Sequence, residues 1–194
     1  MLPLFRDRTD AAAQLAERLA RYHGQDVLVL GIPRGGVPVA AEVARRLDGQ
    51  CDVVVARKLG APAQPELGIG AVTASGGCYL DASLAADAQA SAEFVERAIA
   101  REVAEARRQE QRYRAGRPPP RVQGRIVIVV DDGLATGATM RAALRAVREA
   151  GPARVVTAVP VAPAETCERL CAEADEVVAV HQPRPFLAVG LHYA

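Results

Sequence analysis

Three times along this chain a short apolar, β-branched run ends at glycines or prolines and gives way to a helical pattern. "DVLVLGIPRGG" (26–36) leads into "VPVAAEVARRL" (37–47), and "RIVIVVDDGLATGA" (125–138) leads into "TMRAALRAVREA" (139–150). "RVVTAVPVAP" (154–163) leads into "AETCERLCAEA" (164–174), and a last run, "EVVAV", closes the series at 176–180. Strands that are apolar at every position, rather than at alternate ones, must be buried on both faces. Alternation with helices then dictates an α/β fold, a parallel sheet flanked by helices. A further apolar run, "CDVVVARK" (51–58), belongs beside the first strand. With 26–31 central, 52–57 is expected on one side and 125–130 on the other.

The remaining segments are less constrained. A first helix is expected from about Thr9 to Tyr22, with Asp7 or Thr9 as its N-cap. Residues 83–114 read as one long additional helix, with a narrow apolar stripe of Phe94, Ala98, Ile99, Val103 and Ala106. "GRPPPR" (116–121) must end it. Its arginines alternate with nearly as many glutamates, so it offers no basic stripe to a nucleic acid. With 194 residues, the whole of 1–194 is expected to form one domain.

A net charge of +1 generates no global field toward nucleic acid or an anionic membrane, and no apolar run approaches the roughly 18 residues of a membrane span. The first residues, "MLPLFRDRTD", lack the apolar centre of a signal peptide, so a cytoplasmic protein is expected. Cys167 and Cys171 share a helical face, but two further metal ligands are missing nearby. With Cys51 and Cys78 they are read as packing thiols.

The chemistry concentrates in "VIVVDDGLATGAT" (127–139). A strand runs into two adjacent carboxylates and then a small-residue loop that opens a helix. The first amides of a helix have no internal acceptor and carry partial positive charge. Thr136 and Thr139 add hydroxyls, while Ala135, Gly137 and Ala138 leave room for a phosphate. No lysine follows between Gly124 and Glu149, and no G-x-G-x-x-G occurs, so Walker A and dinucleotide readings lose their support. Asp131 and Asp132, beside a phosphate site, suit the vicinal hydroxyls of a ribose or the water shell of Mg²⁺. A ribose 5-phosphate satisfies both halves.

"GIPRGGVPVA" (31–40) repeats this logic. Gly35 and Gly36 expose amides after a strand, and Arg34 adds a forked cation suited to phosphate. In open α/β sheets such loops meet where the strand order reverses, so the two are expected to flank one crevice.

Together these stretches resemble the type I phosphoribosyltransferases. The 127–139 string is similar to their signature for phosphoribosyl diphosphate (PRPP), departing at Gly133, where an apolar residue is usual. Pro33, Arg34, Gly35 and Gly36 resemble their pyrophosphate loop, which often carries a non-prolyl cis peptide before the residue matching Arg34. The resemblance implies transfer of ribose 5-phosphate from Mg-PRPP to a nitrogenous base with release of pyrophosphate. It makes Arg34, Lys58, Asp131 and Asp132 the catalytic set, with Mg²⁺ held by the two acids indirectly, through ribose hydroxyls or water. It makes 57–72, with Arg57, Lys58 and Glu66, a mobile lid, and 181–194 a hood whose Phe186 meets the base. Homodimers are common in that family. The residues also admit a non-catalytic regulator that binds PRPP or a nucleotide, and a Mg²⁺-dependent phosphohydrolase with Asp131 as nucleophile, which would sit too far from the phosphate loop. The identity of the base is not encoded in these motifs.

Overall fold

The computed structural model describes residues 3–194. Five parallel strands form the main sheet: β1 (Val27–Gly31), β2 (Gln50–Val53), β6 (Ile126–Val130), β7 (Arg154–Val161) and β8 (Glu176–His181), in the order β2-β1-β6-β7-β8. The strand at 26–31 is therefore flanked by the other two as expected, and β1 to β6 is the point where chain order reverses.

Alternate residues of these strands feed two separate cores, as a two-residue side-chain period requires. Val27, Val29, Ile128 and Val130 pack under α1 (Arg8–Arg18) and α2 (Gly36–Leu47), through Leu15, Leu19, Val39 and Val43. Leu28, Leu30, Val127 and Val129 pack under α5 (Ala138–Glu149) and α6 (Ala164–Leu170), through Met140, Leu144 and Leu170. Burial on both faces is what makes "VLVL" and "IVIVV" apolar throughout. Asp7 is the N-cap of α1, accepting from the Asp10 amide at 2.8 Å, and Thr9 lies inside the helix. Beyond Arg18 the chain tightens into a 3₁₀ turn at Ala20–Tyr22.

The central region departs from the sequence reading in three ways. The run at 51–58 is two strands: β2 ends at Val53, and β3 (Ala56–Gly60) leaves the parallel sheet. The segment 57–72 is a β-hairpin, in which β3 pairs antiparallel with β4 (Gly68–Thr73), followed by β5 (Cys78–Leu80). Its glycines suit crowding as well as turns. A Cβ on Gly60 would lie 2.4 Å from the Pro65 carbonyl oxygen, and one on Gly70 2.3 Å from that of Tyr79. Finally, 83–114 is not continuous. α3 (Ala82–Asp87) and α4 (Ala92–Arg114) are separated by Gln89 at φ +53°, and Ser91 caps α4 by accepting from the Phe94 amide at 3.2 Å. The predicted stripe does face inward: Phe94, Ala98, Ile99 and Val103 pack on Leu59, Ile69 and Val72, and Ala106 on Val53 and Val55.

Candidate active site

The pairing of Gly31 with Val130 brings the carboxyl ends of β1 and β6 level, so the loops that follow emerge side by side. Ile32 then donates its amide to the Val130 carbonyl at 2.8 Å, extending the contact one residue past the strand. The Pro33–Arg34 peptide is cis, as the resemblance led one to expect. Gly35 and Gly36 are demanded by what lies opposite. A Cβ on Gly35 would fall 2.2 Å from Oδ2 of Asp132, and one on Gly36 2.6 Å from the Val130 carbonyl oxygen. The two glycine-bearing loops thus meet at the acid pair, with no room for a side chain between them.

Asp131 and Asp132 differ in their surroundings. Asp131 retains some solvent access but is densely enclosed by protein atoms. That burial, and then the neighbouring Asp132 charge, push its carboxyl well above the ordinary 3.8. Its Oδ1 accepts the Asp132 amide at 2.8 Å. Asp132 instead receives a forked contact from Arg8, at 2.9 Å from Nε and 2.6 Å from Nη2. Its backbone carbonyl accepts the Tyr193 hydroxyl, and the Arg8 guanidinium lies 5.0 Å from the centre of the Tyr193 ring. Burial, then the Asp132 charge, raise the Tyr193 pKa. Arg8 and Tyr193 were missed from the sequence. They arrive because Phe5 and Tyr193 form a β-bridge and the Leu4 and Phe5 amides bond the His192 carbonyl, which folds both ends of the described chain over the acids.

The phosphate-type loop is held from below. Leu134 donates its amide to Val161 at 2.9 Å, and Thr166 donates its hydroxyl to the Ala135 carbonyl at 2.7 Å. Gly133, the departure from the usual signature, is a packing requirement here: a Cβ would come within 2.7 Å of Val189 and 2.9 Å of Val161. Gly137 takes φ +78°, a conformation that favours glycine, and starts α5 without any side-chain cap. The first amides of α5, at Ala138 and Thr139, therefore open beside the exposed Ala135 and Thr136.

Arg34 and Lys58, far apart in sequence, line one cavity of about 930 Å³ bounded by the Arg34 loop, the β3–β4 hairpin and α4. The Arg34 side chain forms no hydrogen bond or ion pair among the described residues, while its carbonyl accepts the Val37 amide at 3.3 Å. Lys58 bonds Glu66, at 2.9 Å to its carbonyl and 3.3 Å to its carboxylate. Arg57 turns to Glu102 of α4 at 2.7 Å. Burial works to raise the Glu102 pKa, but hydrogen bonds from Arg57 and Arg101 outweigh it and leave the carboxyl lowered. Phe186 stands elsewhere. Its ring stacks 5.1 Å from His192 and packs with Phe5 and Val161, and the aromatic side chain that reaches the acid pair is Tyr193. Among the described residues no cluster of three or more acids, histidines or thiols is placed to hold a metal, and the cysteines are free. Among the described residues no helix is long and apolar enough to cross a membrane.

The phosphoribosyl transferase domain family model matches residues 4–183. A protein of Mycobacterium tuberculosis strain H37Rv, provisionally named a phosphoribosyl transferase, is 45% identical over 192 residues, which is 99% of this chain and 43% of that protein. The chain thus spans less than half the length of the curated relatives it matches. The crystal structure of TT1426 from Thermus thermophilus is 51% identical with a TM-score of 0.80, covering 97% of this chain and 89% of that one. A hypoxanthine-guanine phosphoribosyltransferase from Bacillus anthracis, 14% identical with a TM-score of 0.50 over 92% of this chain and 79% of its own, shares the fold.

Proposed function

Since the chain belongs to the phosphoribosyl transferase domain family, we propose that it transfers ribose 5-phosphate from Mg-PRPP to a nitrogenous base and releases pyrophosphate. One observation carries the reading: the two anion-suited loops converge on an acid pair, with Gly35 against the Asp132 carboxylate. PRPP has the matching layout of a 5-phosphate, two ring hydroxyls and a pyrophosphate on successive parts of one sugar.

On this reading Ala135–Thr139 receive the 5-phosphate through the free amides of α5 and the Thr136 and Thr139 hydroxyls. Asp131 and Asp132 accept from the ribose hydroxyls. Arg8 holds the Asp132 carboxylate in one orientation, so Asp132 is the fixed acceptor. The Arg34 loop and Lys58 bind the pyrophosphate. The donor set fits a cation that arrives with the substrate, since two carboxylates stand here without a third ligand. Mg²⁺ bound to PRPP supplies charge neutralisation of the leaving group. The base nitrogen donates its electron pair to the anomeric carbon as the carbon–oxygen bond to pyrophosphate breaks. Arg34, Lys58 and the loop amides stabilise the charge that collects on the departing group. The β3–β4 hairpin, tied to α4 by Arg57–Glu102, is the element placed to exclude water from the oxocarbenium-like sugar. Residues 1–194 act as one such unit, in nucleotide metabolism in the cytoplasm, with Tyr193 of the hood at 181–194 toward the base.

The test is pyrophosphate release on mixing the protein with Mg-PRPP and a panel of purine and pyrimidine bases. Base-dependent release supports the reading. PRPP binding without release for any base would support a regulator instead, and phosphate release from sugar phosphates without a base would support a hydrolase.

A further inference from the structure

The cavity beyond Arg34 is larger and more basic than a pyrophosphate group needs. Its lining holds Arg34, Arg57, Lys58, Arg101 and Arg112 against a single carboxylate, Glu102. Arg57 and Arg101 share that carboxylate at 2.7 and 2.9 Å, so one of their two charges is uncompensated. Arg34 and Arg112 have no ion-pair partner among the described residues. Glu66, the partner of Lys58, has a side chain 95% exposed, where screening weakens the pair.

The arrangement has an extended shape. Arg101 and Arg112 are both on α4 and both line the cavity, and at 1.5 Å of rise per residue they stand about 16 Å apart along the axis. Along the helix axis this row is longer than a two-phosphate ligand held at Arg34 and Lys58. Other arginines of α4 are neutralised locally, Arg97 by Glu93 and Arg108 by Glu105. Arg107, outside the cavity, donates to the Ala74 carbonyl at 3.0 Å, while Arg101 and Arg112, which lack a carboxylate of their own, face the cavity.

We propose that α4 extends the pyrophosphate site into a polyphosphate site. Arg101 and Arg112 form a second anion-binding end, and the cavity takes a linear chain of three phosphates in preference to two. The inference rests on the reading that Arg34 and Lys58 hold pyrophosphate. Its consequence is that triphosphate compounds compete with PRPP for the Arg34 end of the cavity.

The experiment is titration calorimetry of the full chain with inorganic pyrophosphate and inorganic triphosphate, at one ionic strength and one free Mg²⁺ concentration. The wild type should bind triphosphate at least tenfold tighter. Arg101→Gln with Arg112→Gln should reduce that preference to within twofold while pyrophosphate affinity changes less than threefold. Arg97→Gln with Arg108→Gln removes the same charge from α4 outside the cavity and should leave the preference intact. Equal affinity of the wild type for both anions overturns the proposal. So does an equal loss of preference in the two double variants, which would reduce the effect to net charge. Repeating the titration with ATP separates the sources of the chain. Affinity equal to triphosphate assigns recognition to phosphates alone, and tighter binding adds the Phe94 or Tyr113 ring as a stacking face. The underlying reading fails separately, if Arg34→Gln leaves pyrophosphate binding unchanged. Matching melting temperatures establish that each variant is folded.

Discussion

The acid pair and the basic cavity are neighbours across the Arg34 loop, yet they are held in opposite ways. Asp131 and Asp132 follow a strand that is buried on both faces and abut glycines, and Asp132 carries fixed partners in Arg8 and Tyr193. Apart from Arg34, on the loop after β1, the basic side chains stand on a hairpin and a helix outside the parallel sheet, and the Arg34 and Arg112 side chains project without intramolecular partners among the described residues. On the proposed reading, the ribose end is preorganised, and the leaving-group end is left to be organised by its ligand. A rigid grip on the sugar and an adaptable one on pyrophosphate suit a reaction in which the sugar stays bound while the pyrophosphate departs.

If the acid end is the rigid anchor, the largest loss should come from it. Asp131→Asn with Asp132→Asn should weaken PRPP binding by about 2–5 kcal/mol, the scale for disrupting a buried charge-assisted site, with folding retained. Calorimetry checks this, and unchanged affinity would remove the ribose assignment. Arg34→Ala tests the adaptable end. It should cost about 1.5–3 kcal/mol for PRPP and pyrophosphate, the value of a hydrogen bond to a charged group, and much less for a nucleoside monophosphate. Equal losses for all three would make Arg34 a structural residue.

The junction between the regions comes next. Gly35→Ala places a methyl 2.2 Å from the Asp132 carboxylate oxygen, so carboxylate or loop must move. A loss of about 1–3 kcal/mol in stability, as for other overpacked sites, should be seen by denaturant unfolding. A fully stable variant would mean that the loops are not in firm contact.

These positions also show where sequence was informative. The acid pair and its loop are contiguous, so residues 127–139 display strand, acids, glycine and helix start in one reading frame. The Arg34 loop repeats the pattern, and the cis peptide followed from the resemblance. Arg8 and Tyr193 could not be found this way, since they reach Asp132 only after both ends of the chain cross the sheet edge through the Phe5–Tyr193 bridge. The hairpin at 57–72 was hidden because glycines forced by crowding at Gly60 and Gly70 look like loop glycines. The break before α4 contains neither glycine nor proline, and Ser91, a good N-cap, was the only local signal for it. The basic cavity gathers residues from Pro33 to Tyr113, a grouping visible only once α4 is docked on the hairpin.

The smallest effect expected is electrostatic. A raised Asp131 pKa means that the folded protein holds this proton more tightly than the unfolded chain. Ionised Asp131 therefore costs stability above the raised value, and the cost fades as pH falls through it toward the ordinary 3.8. Asp131→Asn should be more stable than the wild type near neutral pH, with an advantage that shrinks on acidification. Thermal melts across pH check the sign, and an advantage that grows toward acid would reverse the assignment of strain to Asp131.

The account turns on PRPP spanning both regions, so the most direct measurement is the release of pyrophosphate from Mg-PRPP with a panel of bases, run on the wild type beside the Asp131→Asn, Asp132→Asn variant. Base-dependent release by the wild type, lost in the variant, is the result predicted. Release that survives removal of both carboxylates, or a wild type that neither binds nor cleaves PRPP with any base, would contradict it.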